Sequence, residues 1–119
     1  MVMPEKTILT DEWLSDRAFL HDAFAISAQL VAKNLVIDID DQWSNLQGGS
    51  YQVLPSPGSL IFQGAVMHIG NVGEASGRFI NELKCENGRW QLFLSKNGFF
   101  RRPDLLAFQA YEAFFVIDR

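Results

Sequence analysis

The sequence predicts a mainly β fold, an antiparallel sandwich or partly open barrel with one short N-terminal helix. Apolar and polar residues alternate with a period of two over several segments, which is typical of strands with one buried face. Asn-Gly, the favoured two-residue hairpin turn, occurs at Asn87-Gly88 and Asn97-Gly98. Hydrophobic residues make up 48% of the 119 residues, ten of them Phe. That content predicts a single domain over residues 1–119 with a packed core.

A short helix is predicted at about Asp11 to Phe19. Thr10 is suited to cap its first turn, and the acidic Asp11 and Glu12 complement the positive end of the helix dipole. The segment is too short to be stable alone, so we expect it to pack on the sheet.

The first hairpin is predicted from Leu20 to Asp41, with an alternating run from Phe24 and a tight turn at Lys33-Asn34. In its first strand the even positions are predicted to be buried: Phe24, Ile26, Ala28 and Leu30. In its second strand the odd positions are predicted to be buried and the even ones to form an acidic face: Leu35, Ile37 and Ile39 against Val36, Asp38 and Asp40.

The middle of the chain predicts a long loop, a central strand and a second hairpin. Residues 42–59 contain two Gly-Pro-rich stretches, and a short strand is expected there at Tyr51 to Leu54. A strand with two apolar faces is predicted from Leu60 to Ile69, with a bulge at Gly64.

After a flexible loop at residues 70–77, strands are expected on both sides of Asn87-Gly88. Phe62 and Trp90 are predicted to anchor the core.

The final strand is predicted from about Leu106 to Ile117, with a kink near Glu112. The same residues contain good helix formers, so a helix over residues 105–113 stays open as an alternative. No internal repeat is evident in the sequence.

Charge and composition exclude several classes of protein. The net charge is −4, and residues 1–50 carry three basic and eight acidic side chains. Nucleic-acid binding is not expected, because it requires a basic surface, whereas a basic protein partner suits this charge. No apolar run is long enough to span a membrane. The single cysteine, Cys85, and a start without a secretory signal predict a cytoplasmic protein, with Cys85 a small buried hydrophobe.

His21-Asp22 resembles metal-binding doublets of phosphohydrolases, but such sites need further histidines and the only other one is His68. A structural role is preferred, in which Asp22 accepts main-chain N–H bonds or the His21 ring bonds a buried carbonyl.

An acidic cluster, Asp38, Asp40 and Asp41, ends the first hairpin. Two carboxylates two residues apart on a strand face the same way and suit Mg²⁺ or Ca²⁺, but a solvated strand end is the preferred interpretation. We therefore predict no catalytic, metal or cofactor residues, and no cofactor. A metal-dependent hydrolase using His21, Asp38 and Asp40 is the alternative.

The interaction surface is expected to combine this cluster with aromatic and basic residues of two loops. Its predicted members are Asp38, Asp40, Asp41, Trp43, Tyr51, Phe99, Phe100, Arg101 and Arg102.

Several short motifs resemble a broad group of small bacterial β-rich proteins. They are Trp13-Leu14, the entry Leu20-His21-Asp22-Ala23, and the strands at residues 35–39, 60–66 and 108–110. Phe24 departs from the charged residue often found after the alanine. Most members of the group are uncharacterised, and some are immunity proteins that neutralise toxins of neighbouring bacteria; the group supplies no catalytic residues.

The expected function is therefore non-enzymatic binding of another protein, with toxin neutralisation as its concrete form. Binding of a small ligand within the sheet sandwich is a further alternative. A homodimer is compatible with this expectation.

Overall fold

The computed structural model describes residues 6–40, 57–95 and 103–117. The strands are β1 (Lys6–Ile8), β2 (Phe24–Val31), β3 (Asn34–Asp40), β4 (Gly58–Gln63), β5 (Val66–Ile69), β6 (Arg78–Glu86), β7 (Arg89–Leu94), β8 (Asp104–Gln109) and β9 (Glu112–Ile117). One helix, α1, spans Asp11–Asp16, and two 3-10 turns span Ala18–Leu20 (the entry turn) and Val72–Ala75 (the loop turn). The strand predicted at residues 51–54 and the turn at Asn97-Gly98 lie outside the described residues.

The described strands form one antiparallel sheet that is not closed, which confirms the predicted mainly β fold. Its order is β1-β9-β4-β3-β2-β6-β7-β8-β5. The two halves of the sheet pack face to face through aromatic rings. The ring of Phe62 on β4 lies 5.0 Å from Trp90 on β7 and 4.8 Å from Phe108 on β8. Phe62 and Trp90 are both buried, as predicted.

The helix begins where the sequence predicts and ends earlier. The Thr10 hydroxyl accepts the Trp13 N–H at 3.1 Å, and Leu14 is fully buried. After Arg17 the backbone turns left-handed, with positive φ at Ala18, Phe19 and Leu20. Because an α-helix needs negative φ, the segment to Phe19 cannot all be helix.

The first hairpin differs from its prediction through a β-bulge at Ile26. Before the bulge Phe24 faces outward, and Ile26 itself is 53% exposed. After it the alternation is restored, because Leu30 lies opposite the buried Leu35. Leu30 is nevertheless half-exposed. The prediction that Phe24, Ile26 and Leu30 are buried was therefore wrong. In the second strand Leu35, Ile37 and Ile39 are buried as predicted.

The turn of this hairpin is one residue earlier than predicted. Ala32 and Lys33 occupy it, with φ of 49° and 70°, and Val31 pairs with Asn34. Asn34 instead belongs to β3 and accepts the Gly64 N–H with its side chain. In the second hairpin Asn87 and Gly88 form the predicted turn, with φ of 52° and 75°.

The segment predicted as one strand, Leu60 to Ile69, belongs to two strands, β4 and β5, in opposite halves of the sheet. β4 is central, whereas β5 lies at the end of the strand order. Gly64, at φ 64°, breaks the strand, and the inward positions shift by one residue there: Leu60 and Phe62 are buried before it, and Met67 packs on the core after it.

The last segment is broken in the same way. It is strand, as predicted, and its kink lies at Ala110-Tyr111, just before Glu112. Phe108 is buried before the kink and Phe115 after it, so the inward positions again shift by one residue. β4 pairs with β9 and β5 with β8, and the Tyr111 N–H donates to the Gln63 carbonyl where the segments bend together.

The strand order reveals an internal repeat, so the prediction of none was wrong. Strands β2, β3, β4 and β5 correspond in turn to β6, β7, β8 and β9. When each strand is replaced by its counterpart, the order of these eight strands is the same read from the opposite end, and β1 alone among the described strands has no counterpart. Each repeat is a hairpin followed by a bent strand, and the first strands carry bulges at equivalent positions, Ile26 and Asn81. Phe24 and Phe79 pair where the repeats meet, with ring centroids 5.0 Å apart.

Candidate interaction surface

Four half-exposed aliphatic side chains lie on the two faces of β2 and at the start of β5. We name the aliphatic stripe by its residues, Ile26, Leu30, Val31 and Val66, whose exposed fractions lie between 49% and 55%. The first three lie on β2. Val66 begins β5, and it lies beside the hairpin tip because the Ala65 N–H donates to the Lys33 carbonyl at 2.8 Å. Aliphatic residues that are half in water cost free energy unless something covers them.

The second repeat places other residues at the equivalent positions. Strand pairing matches Ile26 with Asn81, Leu30 with Cys85 and Val31 with Glu86. It matches Val66 with Glu112, since Val66 pairs with Gln109 and Glu112 pairs with Gln63. Three of the four counterparts are polar, so the fold does not require aliphatic residues at these positions.

The edge of β2 beside the stripe is only partly covered. Val31 and Asn34 flank the two-residue turn and bond to each other, so the N–H and C=O groups of Leu30 point away from β3. The loop turn is capped by the Asn71 side chain and is not simply a flexible loop. Its next residue, Ser76, accepts the Ala28 N–H with its hydroxyl.

The equivalent edge of β6 is covered by α1 and the entry turn. The Asp22 N–H donates to the Ile80 carbonyl at 2.9 Å, and His21 Nδ1 lies 2.9 Å from the Asn81 carbonyl oxygen. Cys85 on this edge is half-buried. Burial raises the pKa of the Cys85 thiol, a hydrogen bond from the Gly88 main chain opposes the rise, and the negative charge of Asp11 on α1 adds to it.

Tyr111 extends the exposed surface next to the stripe. Its side chain is 78% exposed, and its ring packs against Gly64, leaving no room there for a Cβ atom. Gly64 is two residues from Val66. Exposed tyrosine is a common contact residue at interfaces, because its ring offers a large contact area at a small cost in conformational entropy.

Asp38 accepts two hydrogen bonds on the outer face of the first repeat. The hydroxyls of Ser27 and Ser59 donate to its two carboxylate oxygens at 2.9 and 2.6 Å. Asp38 is half-buried two residues before the end of β3, a strand that lies between β2 and β4. Its counterpart in the second repeat is Phe93.

The other predicted residues are not brought together in one site. His21 Nε2 lies 3.5 Å from Asp22 Oδ1, whereas Asp40 pairs with Phe24 at the far end of β3. Within residues 6–40, 57–95 and 103–117, no three His, Cys, Asp or Glu side chains group as metal ligands. The remaining predicted contact residues lie outside the described residues: Asp41, Trp43, Tyr51, Phe99, Phe100, Arg101 and Arg102.

A shallow depression of about 620 Å³ lies on the outer face of the second repeat. Lys84, Arg89, Gln91 and Gln109 are among the residues that line it. It is a polar surface feature, and the space between the halves of the sheet is filled by the rings of Phe62, Trp90 and Phe108.

Comparisons with protein-family models, curated proteins and solved structures found no match to this chain. Within its described part, no helix is long and apolar enough to cross a membrane.

The sequence reading missed the aliphatic stripe because it assigned Ile26 and Leu30 to the core. One signal was available. Leu60-Ile61-Phe62-Gln63-Gly64 matches Leu106-Ala107-Phe108-Gln109-Ala110 at three positions and ends in a small residue in both. Aligning the two repeats on that match places Val66 against Glu112, so an aliphatic residue of the first repeat corresponds to a charged residue of the second.

Proposed function

We propose that this chain is a non-enzymatic binding protein that docks another protein on the aliphatic stripe. The observation that carries the proposal is the contrast between the repeats. Ile26, Val31 and Val66 are half-exposed where the second repeat has Asn81, Glu86 and Glu112. Exposed aliphatic residues that the second repeat lacks, at the bulge of β2 and beside its hairpin tip, support a docking surface.

The concrete form of the proposal is neutralisation of a toxin by direct binding. The Leu20-His21-Asp22-Ala23 entry resembles that of small bacterial proteins, some of which are immunity proteins. The excess of acidic over basic side chains in residues 1–50 favours a basic partner, because opposite charge speeds association.

Co-expression with the products of the adjacent genes tests this proposal. We expect one product to slow bacterial growth when expressed alone, and this chain to restore growth and co-purify with that product. The variant Ile26→Asn/Val31→Glu/Val66→Glu carries the residues of the second repeat and should bind at least about tenfold more weakly, a loss of about 1.4 kcal/mol.

Ile69→Asn is the matched control. Ile69 is 52% exposed, close to the 53% of Ile26, but it lies at the far end of β5, away from the stripe. Binding and growth protection should be unchanged in this variant. Unchanged binding by the folded triple variant would contradict the proposal.

A further inference from the structure

The edges of β2 and β6 that point away from β3 and β7 are covered differently. Over β6 the cover is α1 followed by the entry turn, and it buries Leu14 and Leu20 completely. Within residues 6–40, 57–95 and 103–117, the cover over β2 is the loop turn, whose buried residue is Ala75. The first repeat therefore has a counterpart of the entry turn but none of α1.

The residues left uncovered are the counterparts of residues that α1 and the entry turn cover. The Asn81 carbonyl lies within hydrogen-bond distance of His21, whereas its counterpart Ile26 is 53% exposed. Cys85 is half-buried near Asp11 of α1, whereas its counterpart Leu30 is 50% exposed. Among the described residues no helix lies over β2 as α1 lies over β6, and the exposed residues of β2 are more apolar.

We propose that the edge of β2 between Ile26 and Leu30 binds a short amphipathic helix of the partner protein. This inference rests on the proposed function and names the element that the stripe receives. The partner's helix lies over β2 as α1 lies over β6. One of its aliphatic side chains packs on Leu30 and corresponds to Leu14, the buried residue of α1.

A helix fits this edge better than an added strand does. An added strand is held by main-chain bonds along a ladder. Here the Ala28 N–H is already bonded to Ser76, and the turn begins at Ala32. Leu30 is the one residue between them whose N–H and C=O both point outward, which is too short a ladder for a strand from a partner or from a second copy of this chain.

Charges at the two ends of the edge define the helix further. Lys33 is exposed at the hairpin tip, and Glu74 is exposed on the loop turn. A helix with acidic residues at its N-terminal end near Lys33 and a basic residue near Glu74 complements both. α1 has this arrangement over β6, where Asp11 lies near Cys85 and Arg17 follows the helix.

A peptide with the sequence of residues 9–20, acetylated and amidated, is therefore the probe. It is titrated to about 1 mM, the range of a weak single-helix contact, into the intact ¹⁵N-labelled chain. We expect saturable amide shifts in residues 26–33 and 72–77. Leu30→Glu should weaken peptide binding at least about tenfold. Ile26→Asn should also weaken it, and this variant places no charge on the edge. The control variant Ile69→Glu should bind the peptide as the parent does.

Three results would overturn the inference. The first is the absence of saturable shifts in these residues. The second is shifts confined to β6 and α1, which would mean that the peptide replaces the resident helix. The third is shifts that depend on protein concentration without peptide, which would mean self-association. If the peptide does not bind but the triple variant still loses the partner, the proposed function stands with another docking element. If the peptide binds but the triple variant keeps the partner, the proposed function is the part that fails.

Discussion

The two repeats share a backbone plan and differ in what they leave exposed. Both have a bulge in the first strand, a two-residue turn with positive φ and a strand that bends from one half of the sheet to the other. The edge of β6 is covered by α1, and the second repeat has polar residues at the exposed positions. The described residues place no helix over the edge of β2, which carries aliphatic residues. The fold thus supplies an internal control that separates residues needed for folding from residues available for binding.

The largest expected effect tests whether the cores of the repeats are equivalent. Phe62 and Phe108 occupy matching positions and are almost fully buried. Phe62→Ala and Phe108→Ala should each lower the free energy of unfolding by about 3–5 kcal/mol in denaturant titrations. Because their rings touch, the double variant should lose less than the sum, by about 0.5–1.5 kcal/mol. A nearly neutral effect at either position would contradict the equivalence.

The two hairpin turns give the next largest effect. Lys33 and Gly88 share the second turn position, at φ of 70° and 75°. Gly88→Val should lower the free energy of unfolding by about 1–2 kcal/mol or more, and Lys33→Gly should raise it by about 1 kcal/mol, because only glycine adopts this φ without strain. Thermal melts measure both changes, and equal stability of the parent and both variants would show that the turns are not of this type.

Thiol chemistry compares the covered edge with the open one. Burial and the charge of Asp11 both disfavour the Cys85 thiolate and raise the pKa of Cys85. Leu30→Cys in a Cys85→Ser background should therefore be alkylated faster at pH 8 than Cys85 in the parent, with a lower midpoint in the pH–rate profile. Asp11→Asn should speed alkylation of Cys85, because removing the negative charge lowers its pKa. Equal rates at both positions would mean that the two edges are equally covered.

The smallest expected effect is on the stability of the stripe variant. Ile26→Asn, Val31→Glu and Val66→Glu should each change the free energy of unfolding by about 0.5 kcal/mol or less, because the side chains are half in water and the second repeat tolerates these residues. Urea titration measures this. A loss of several kcal/mol would show that the stripe supports the fold.

The sequence predicted the elements whose alternation is uninterrupted. The Asn87-Gly88 turn, β3 and the Thr10 cap are local features, and each lies where its pattern indicated. The errors about which face of a strand a residue occupies come from one-residue irregularities. A bulge at Ile26, or a break at Gly64, moves every later side chain to the other face, and period-two patterns assume that no such shift occurs.

The candidate site was less predictable than the fold for the same reason. Ile26 and Leu30 fit a buried strand by composition, and their exposure depends on which element covers the edge of β2. That cover is set by tertiary packing of the segment 70–77, which no local pattern in β2 contains. The roles predicted for Asp41, Trp43 and Phe99 fall outside the described residues and stay predictions.

The pairing of β1 with β9 has a consequence for how the chain folds. Lys6 pairs with Val116, so this contact joins residues that are nearly the whole described chain apart. Pairing between distant segments forms late, because the entropy of closing the loop is lost before any contact compensates for it. We expect the hairpins β2–β3 and β6–β7 to form first and the ladder of β1 to close last. Stopped-flow refolding of this domain should then be slow for its size, and hydrogen exchange should open β1 before either hairpin.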